Sequence, residues 1–158
     1  MTMSLRLSAL AIGLAALAAV LMPLPEMRPA LAQANPAAER EDAMETISKQ
    51  LRPLAGMARG QQAFDGQAVK AAAEKILAEF NRAEKLFPEG SGGGKSRALP
   101  AIWEQPDAFA ARFEEAKAAA SAVAKAGEAN SQDRFQEAFK TLGGACAACH
   151  KTFRAPEN

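Results

Sequence analysis

The string SQDRFQEAFKTLGGACAACHKTFR occupies residues 131–154. Its apolar positions Phe135, Phe139, Leu142 and Phe153 follow the three- and four-residue steps of an α-helix rather than the alternation of a strand. Cys146, Cys149 and His150 stand at i, i+3 and i+4, so on a helix the two thiols and the imidazole share one face. Turning that face backwards at about 100° per residue brings Phe135, Phe139, Leu142 and Gly143 onto it, an apolar wall with one gap. Glycines inside a helix destabilise it by roughly 1 kcal/mol each against alanine, so Gly143 and Gly144 call for a reason. Gly143, on the motif face, would admit a flat group close to the backbone. Gly144, on the opposite face, would admit a neighbouring helix. The alternative is a helix break near residue 143, which would leave the motif intact.

Outward from this segment the chain still reads as helix. Beyond residue 32 the apolar β-branched residues are only Ile47, Val69, Ile76, Ile102 and Val123, and alanine is abundant, so strands are disfavoured. A first helix is predicted from about Ala37 to Ala58, with Met44, Ile47, Leu51, Ala55 and Ala58 along one face. Pro53 cannot donate to the Lys49 carbonyl, which predicts a kink or break there. A second runs from about Asp65 to Phe87, with Asp65 as N-cap and Phe64 and Val69 as a hydrophobic staple. Val69, Ala73, Ile76, Phe80 and Ala83 form its inward stripe, and Pro88, Gly90 and the Ser91–Gly94 run end it.

A third helix starts at Pro106 or Asp107, carries Phe109, Phe113, Ala116, Ala120 and Val123 inward, and stops at Gly127. Short connections make the first pair and the last pair antiparallel. In the longer link from Pro88 to Gln105, the apolar Leu99, Ile102 and Trp103 should pack the second half onto the bundle. The predicted fold is all-α, an antiparallel four-helix bundle, whose interior is a usual seat for a cofactor.

The N-terminus reads differently. Arg6 precedes an uncharged apolar run from Leu7 to Met22, Pro23 and Pro25 interrupt it, and Ala30-Leu31-Ala32 is an A-x-A cleavage site. Residues 1–32 are thus expected to be a cleaved secretory signal peptide, and residues 33–158 the mature domain. As a retained anchor, the stretch from Leu7 to Leu24 would be marginal, with Gly13 and Pro23 inside it. The chain has 19 basic and 18 acidic side chains. Loss of Arg6, Glu26 and Arg28 leaves the mature part near neutral, without the basic stripe that nucleic acid requires. Export to an oxidising compartment would make a disulfide the default for two cysteines.

The residues beside the cysteines argue against that default. C-x-x-C-H is the signature of covalent haem attachment, with a thiol for each vinyl group and an adjacent imidazole for the iron. A structural zinc site wants four ligands, and the mature chain holds two cysteines and one histidine. A thioredoxin-like pair belongs at a helix N-terminus after a strand, whereas this pair lies late in the last helix. A plain disulfide explains neither His150 nor the wall. The reading is one haem c, held by Cys146 and Cys149 as thioethers, with His150 as proximal iron ligand.

Candidates for the opposite side of the iron are few, because there is no second histidine and no tyrosine. Met44 and Met57 are the methionines beyond residue 32. Met44 lies on the inward stripe with Ile47 and Leu51; Met57 falls off it if the helix stays regular through Pro53. A methionine on such a stripe is ordinarily core; beside a haem motif, Met44 becomes the candidate distal ligand. Arg40, one turn earlier, either meets a haem propionate with its planar fork or is a solvated surface arginine.

On these residues the chain resembles the class II c-type cytochromes, the cytochrome c-prime family, and most closely its low-spin, methionine-ligated cytochrome c-556 branch. The resemblance rests on Cys146 to Arg154, on Arg40 and Met44 four apart in an N-terminal helix, on Met57-Ala58-Arg59-Gly60 before Phe64-Asp65, and on Leu99-Pro100-Ala101-Ile102-Trp103. It covers nearly the whole mature chain, and Pro53 is its one departure. It implies a periplasmic bundle with the haem near one end and Met44 at the distal position. Some members use methionine as sixth ligand, are low-spin and carry electrons between redox partner proteins. Others leave the iron five-coordinate and bind nitric oxide or carbon monoxide. Arg154 matches an arginine one turn beyond the proximal histidine, and pairing of members through their first two helices implies a homodimer. The expected function is electron carriage, the alternative gas binding. An enzyme role such as peroxide turnover would need a polar distal group, and Met44 has only Arg40 beside it, so no catalytic residues are expected.

Overall fold

Asn35 opens the first helix: its side-chain oxygen accepts from the Ala38 N–H at 3.3 Å, and Pro36 follows at the first helical position. The computed structural model describes residues 35–94 and 96–156, so the leader expected at residues 1–32 lies outside the described residues. Helix α1 (Pro36–Ala58) runs on through Pro53 without the predicted break. Pro53 is exposed, while Leu54 and Met57 beyond it are buried, Leu54 to 1 % exposure. Burial of two large side chains, each stabilising by about 1.5–3 kcal/mol, offsets the hydrogen bond that proline forfeits. The buried stripe consists of Arg40, Ala43, Ile47, Leu54 and Met57, turned slightly from the expected one. Met44 and Leu51 lie half-buried on its flank.

Helix α2 (Gly66–Ala83) starts as its sequence predicts, with the Asp65 carboxylate accepting from Gln67 N–H at 2.9 Å and Ala68 N–H at 3.1 Å. Its expected stripe, Val69 through Ala83, is buried throughout. A 3₁₀ turn, Glu84–Leu86, tightens its end. Phe64 lies against Phe135, ring centroids 5.6 Å apart. The one-turn α3 (Ala101–Glu104) precedes α4 (Pro106–Glu128) and α5 (Gln132–Phe153). Helix α4 buries Phe109, Phe113, Ala116, Ala120 and Val123 as predicted. It does not stop at Gly127; it ends at Glu128, with Asn130 in the left-handed region at φ 48°.

Gly127 has a different purpose. A Cβ there would come within 2.6 Å of both the Gly66 carbonyl oxygen and the Lys70 nitrogen, so α2 and α4 meet backbone to backbone. Alanine would ordinarily stabilise a helix interior by about 1 kcal/mol. Here overpacking of about 1–3 kcal/mol outweighs that gain, because backbone rather than a flexible side-chain tip must give way. Gly127→Ala is expected to lower the melting temperature by several degrees in thermal denaturation; an unchanged or raised value would show that α2 and α4 can separate freely.

Helix α5 passes through Gly143 and Gly144 without a break. The space beside Gly144 is open among the described residues, so the close helix contact expected there is not formed. The second half of the long link packs down as expected. Ile102 is buried, the Leu99 N–H donates to the Phe153 carbonyl at 3.0 Å, and the Trp103 indole N–H donates to the carbonyls of Phe87 and Pro88 at 3.2 and 3.1 Å. The architecture is the antiparallel four-helix bundle, with α2 on α4, α4 on α5 and α1 on α2 as its main interfaces. Helices α1 and α5 touch only lightly. Among the described residues, no helix is long and apolar enough to cross a membrane.

Candidate functional site

The light contact between α1 and α5 leaves a crevice on that seam, about 630 Å³ counting its open mouth. Met44, Ile47, Ser48 and Leu51 line it from α1, and Ala145, Cys146, Cys149 and His150 from α5. Phe80 of α2 and Phe113 of α4, edge to face at 6.4 Å, and Ala116 add apolar wall, with Arg112 and Arg154 also on its lining. The i, i+3, i+4 spacing thus turns both thiols and the imidazole into one cleft, and helix α1 brings Met44 to the same cleft.

The wall differs from the sequence expectation. Phe135 and Leu142 are fully buried in the bundle core, and Phe139 lies against Phe135 at 5.7 Å between centroids. The aromatic wall comes instead from Phe80 and Phe113, whose apolar spacing marked them as inward without saying which cavity they face. Met57 is core, away from the crevice lining. Arg112 also borders a shallower depression with Gln105, Glu115 and Thr152, which contains none of the motif residues.

Both cysteines are free and half-buried. Burial pushes each thiol above its ordinary pKa, and for Cys149 the neighbouring Cys146 adds to the rise. Such thiols lack the depressed pKa of a thioredoxin-like pair. Burial, then the positive charges of Arg154 and Arg97, hold the His150 pKa below its usual value. The neutral ring so favoured is the form that can bind a metal.

Arg40 is not a solvated surface residue: it is 6 % exposed. Its Nη1 donates to the Leu86 carbonyl and the Ser91 Oγ, both at 2.9 Å, and its Nη2 to the Ser91 carbonyl at 2.7 Å and the Ser96 Oγ at 3.1 Å. A propionate would have to share or displace these partners. Desolvation holds its pKa below the ordinary arginine value.

Two thiols beside an imidazole, a thioether across the cleft and apolar aromatic walls are a donor set and a surface that fit haem c. The comparisons agree. The family described as Cytochrome C' matches residues 35–154. A cytochrome c-556 of Agrobacterium fabrum is 39% identical over 116 residues, covering 73% of this chain and 78% of the relative. A cytochrome c-554 of Cereibacter sphaeroides is 38% identical over 122 residues, covering 73% and 77%. The crystal structure of cytochrome c' from Rubrivivax gelatinosus superposes with a TM-score of 0.71 at 25% identity, over 76% of this chain and 94% of that one. The chain therefore belongs to the cytochrome c' family of class II c-type cytochromes, and its cofactor is covalently bound haem c.

Proposed function

We propose that this cytochrome carries single electrons in the periplasm, with Cys146 and Cys149 joined to the haem vinyl groups, His150 as proximal ligand and Met44 as distal ligand. When bound, the haem supplies a one-electron ferric–ferrous couple. The observation that carries the reading is that Met44 on α1 and His150 on α5 line one crevice from its two sides. The soft thioether favours the ferrous state, and the apolar surfaces of Ile47, Leu51, Phe80 and Phe113 exclude water and disfavour the extra positive charge of the ferric state. The kinship with a cytochrome c-556 and a cytochrome c-554 supports the same reading. Cleavage of residues 1–32, exchange with redox partner proteins and pairing of two copies through α1 and α2 belong to the same proposal.

The test is the absorption and electron paramagnetic resonance of the purified protein in both oxidation states, with its intact mass. A low-spin ferric form with a far-red methionine-to-iron band, and a mass equal to haem plus a chain beginning at Gln33, are expected. A high-spin ferric form that binds carbon monoxide at once on reduction would shift the assignment to a five-coordinate gas binder.

A further inference from the structure

Among the described residues Arg40 is the one charged side chain in the core. Taking a guanidinium out of water costs several kcal/mol unless its donors are satisfied. Here two carbonyls and two hydroxyls satisfy both Nη atoms, and the guanidinium lies over the Phe87 ring at 4.7 Å. These partners belong to the connection after α2, between residues 86 and 96. That connection is itself fixed, because the Trp103 indole holds the Phe87 and Pro88 carbonyls. Phe87 in turn packs edge to face on Phe113, a wall of the crevice, at 6.1 Å.

Arg40 stands one helical turn before Met44. Helix α1 touches α5 only lightly, so contact across the crevice does not set how deep Met44 reaches. Its seat on α2 buries apolar Ala43 and Ile47, and the Asp42–Arg82 ion pair beside them, 2.7 Å long, joins two solvent-exposed side chains, so neither strongly opposes sliding. Four directional hydrogen bonds in two directions do not tolerate it. We propose that Arg40 is a positioning residue: its clasp on the 86–96 connection fixes the axial register of α1 and thereby holds the Met44 thioether at the iron. The inference rests on Met44 being the distal ligand.

The test compares three purified haem-loaded variants with the wild type: Arg40→Met, Arg40→Lys, and Ser91→Ala with Ser96→Ala. The far-red band, the ferric high-spin fraction and carbon monoxide affinity of the ferrous form are read in each. Arg40→Met should weaken the band and raise carbon monoxide affinity by about tenfold, as the Met44-off population grows. The serine pair, which leaves Arg40 in place, should move both readouts in the same direction by about threefold. Lysine should rescue only part, because one ammonium cannot reach four acceptors or stack as a plane. Unchanged spectra in the serine pair overturn the clasp, and do so even if Arg40→Met does not fold. Shifts in the arginine variants with an unmoved serine pair would assign Arg40 to a direct propionate contact instead, and also overturn it. A wild type without the band would show that Met44 is not a ligand, a separate result that defeats the underlying reading before any variant is compared.

Discussion

Replacing Cys146 and Cys149 together by alanine is expected to abolish acid-stable haem and to lower the melting temperature by about 10 °C or more. Acidified acetone should extract all haem from the variant and none from the wild type. The crevice is lined from α1, α2, α4 and α5, so whatever occupies it ties the four long helices together. A ligand held at about a thousand times its dissociation constant stabilises by about 4 kcal/mol, and a tethered one does not dilute away. For a domain of this size each kcal/mol is worth roughly 3–4 °C. A variant that melts with the wild type would show that the haem is peripheral to the core.

Met44→Ala is expected to convert a low-spin ferric protein to a high-spin one and to remove the far-red band. The reduction potential should fall by on the order of 100 mV, since each tenfold loss of ferrous preference is about 59 mV for a one-electron couple. Carbon monoxide should bind the ferrous form faster, because no protein ligand has to leave first. Met57→Leu is the control: its side chain is 8 % exposed and packed in the core, so the spectrum should not move. A high-spin wild type indifferent to Met44→Ala would refute the ligation and favour gas binding.

The sequence and the structure agree where the decisive neighbours are close along the chain. The cap at Asp65, the inward stripes of α2 and α4, and the shared face of Cys146, Cys149 and His150 depend on spacings of two to four residues, so they are legible from the string. The stripe of α1 is less legible. Apolar spacing does not reveal that Leu54 and Met57 face the core while Met44 and Leu51 turn to a crevice. Pro53 reads as a kink or break because its lost hydrogen bond is local, whereas the compensating burial is tertiary. Gly127 reads as a stop because glycine commonly ends helices, although here its missing side chain admits another backbone.

By itself, then, the sequence determined the helical class and a haem motif complete within five consecutive residues, because periodicity and local chemistry suffice for each. Only the tertiary structure decided which surface Met44 presents, that the apolar wall is Phe80 with Phe113 rather than Phe135 with Leu142, and that Arg40 is buried and bonded to the 86–96 connection. The physical reason is distance along the chain. Arg40 bonds to partners 46 to 56 residues away, and no helical period encodes which loop will fold back over a given turn.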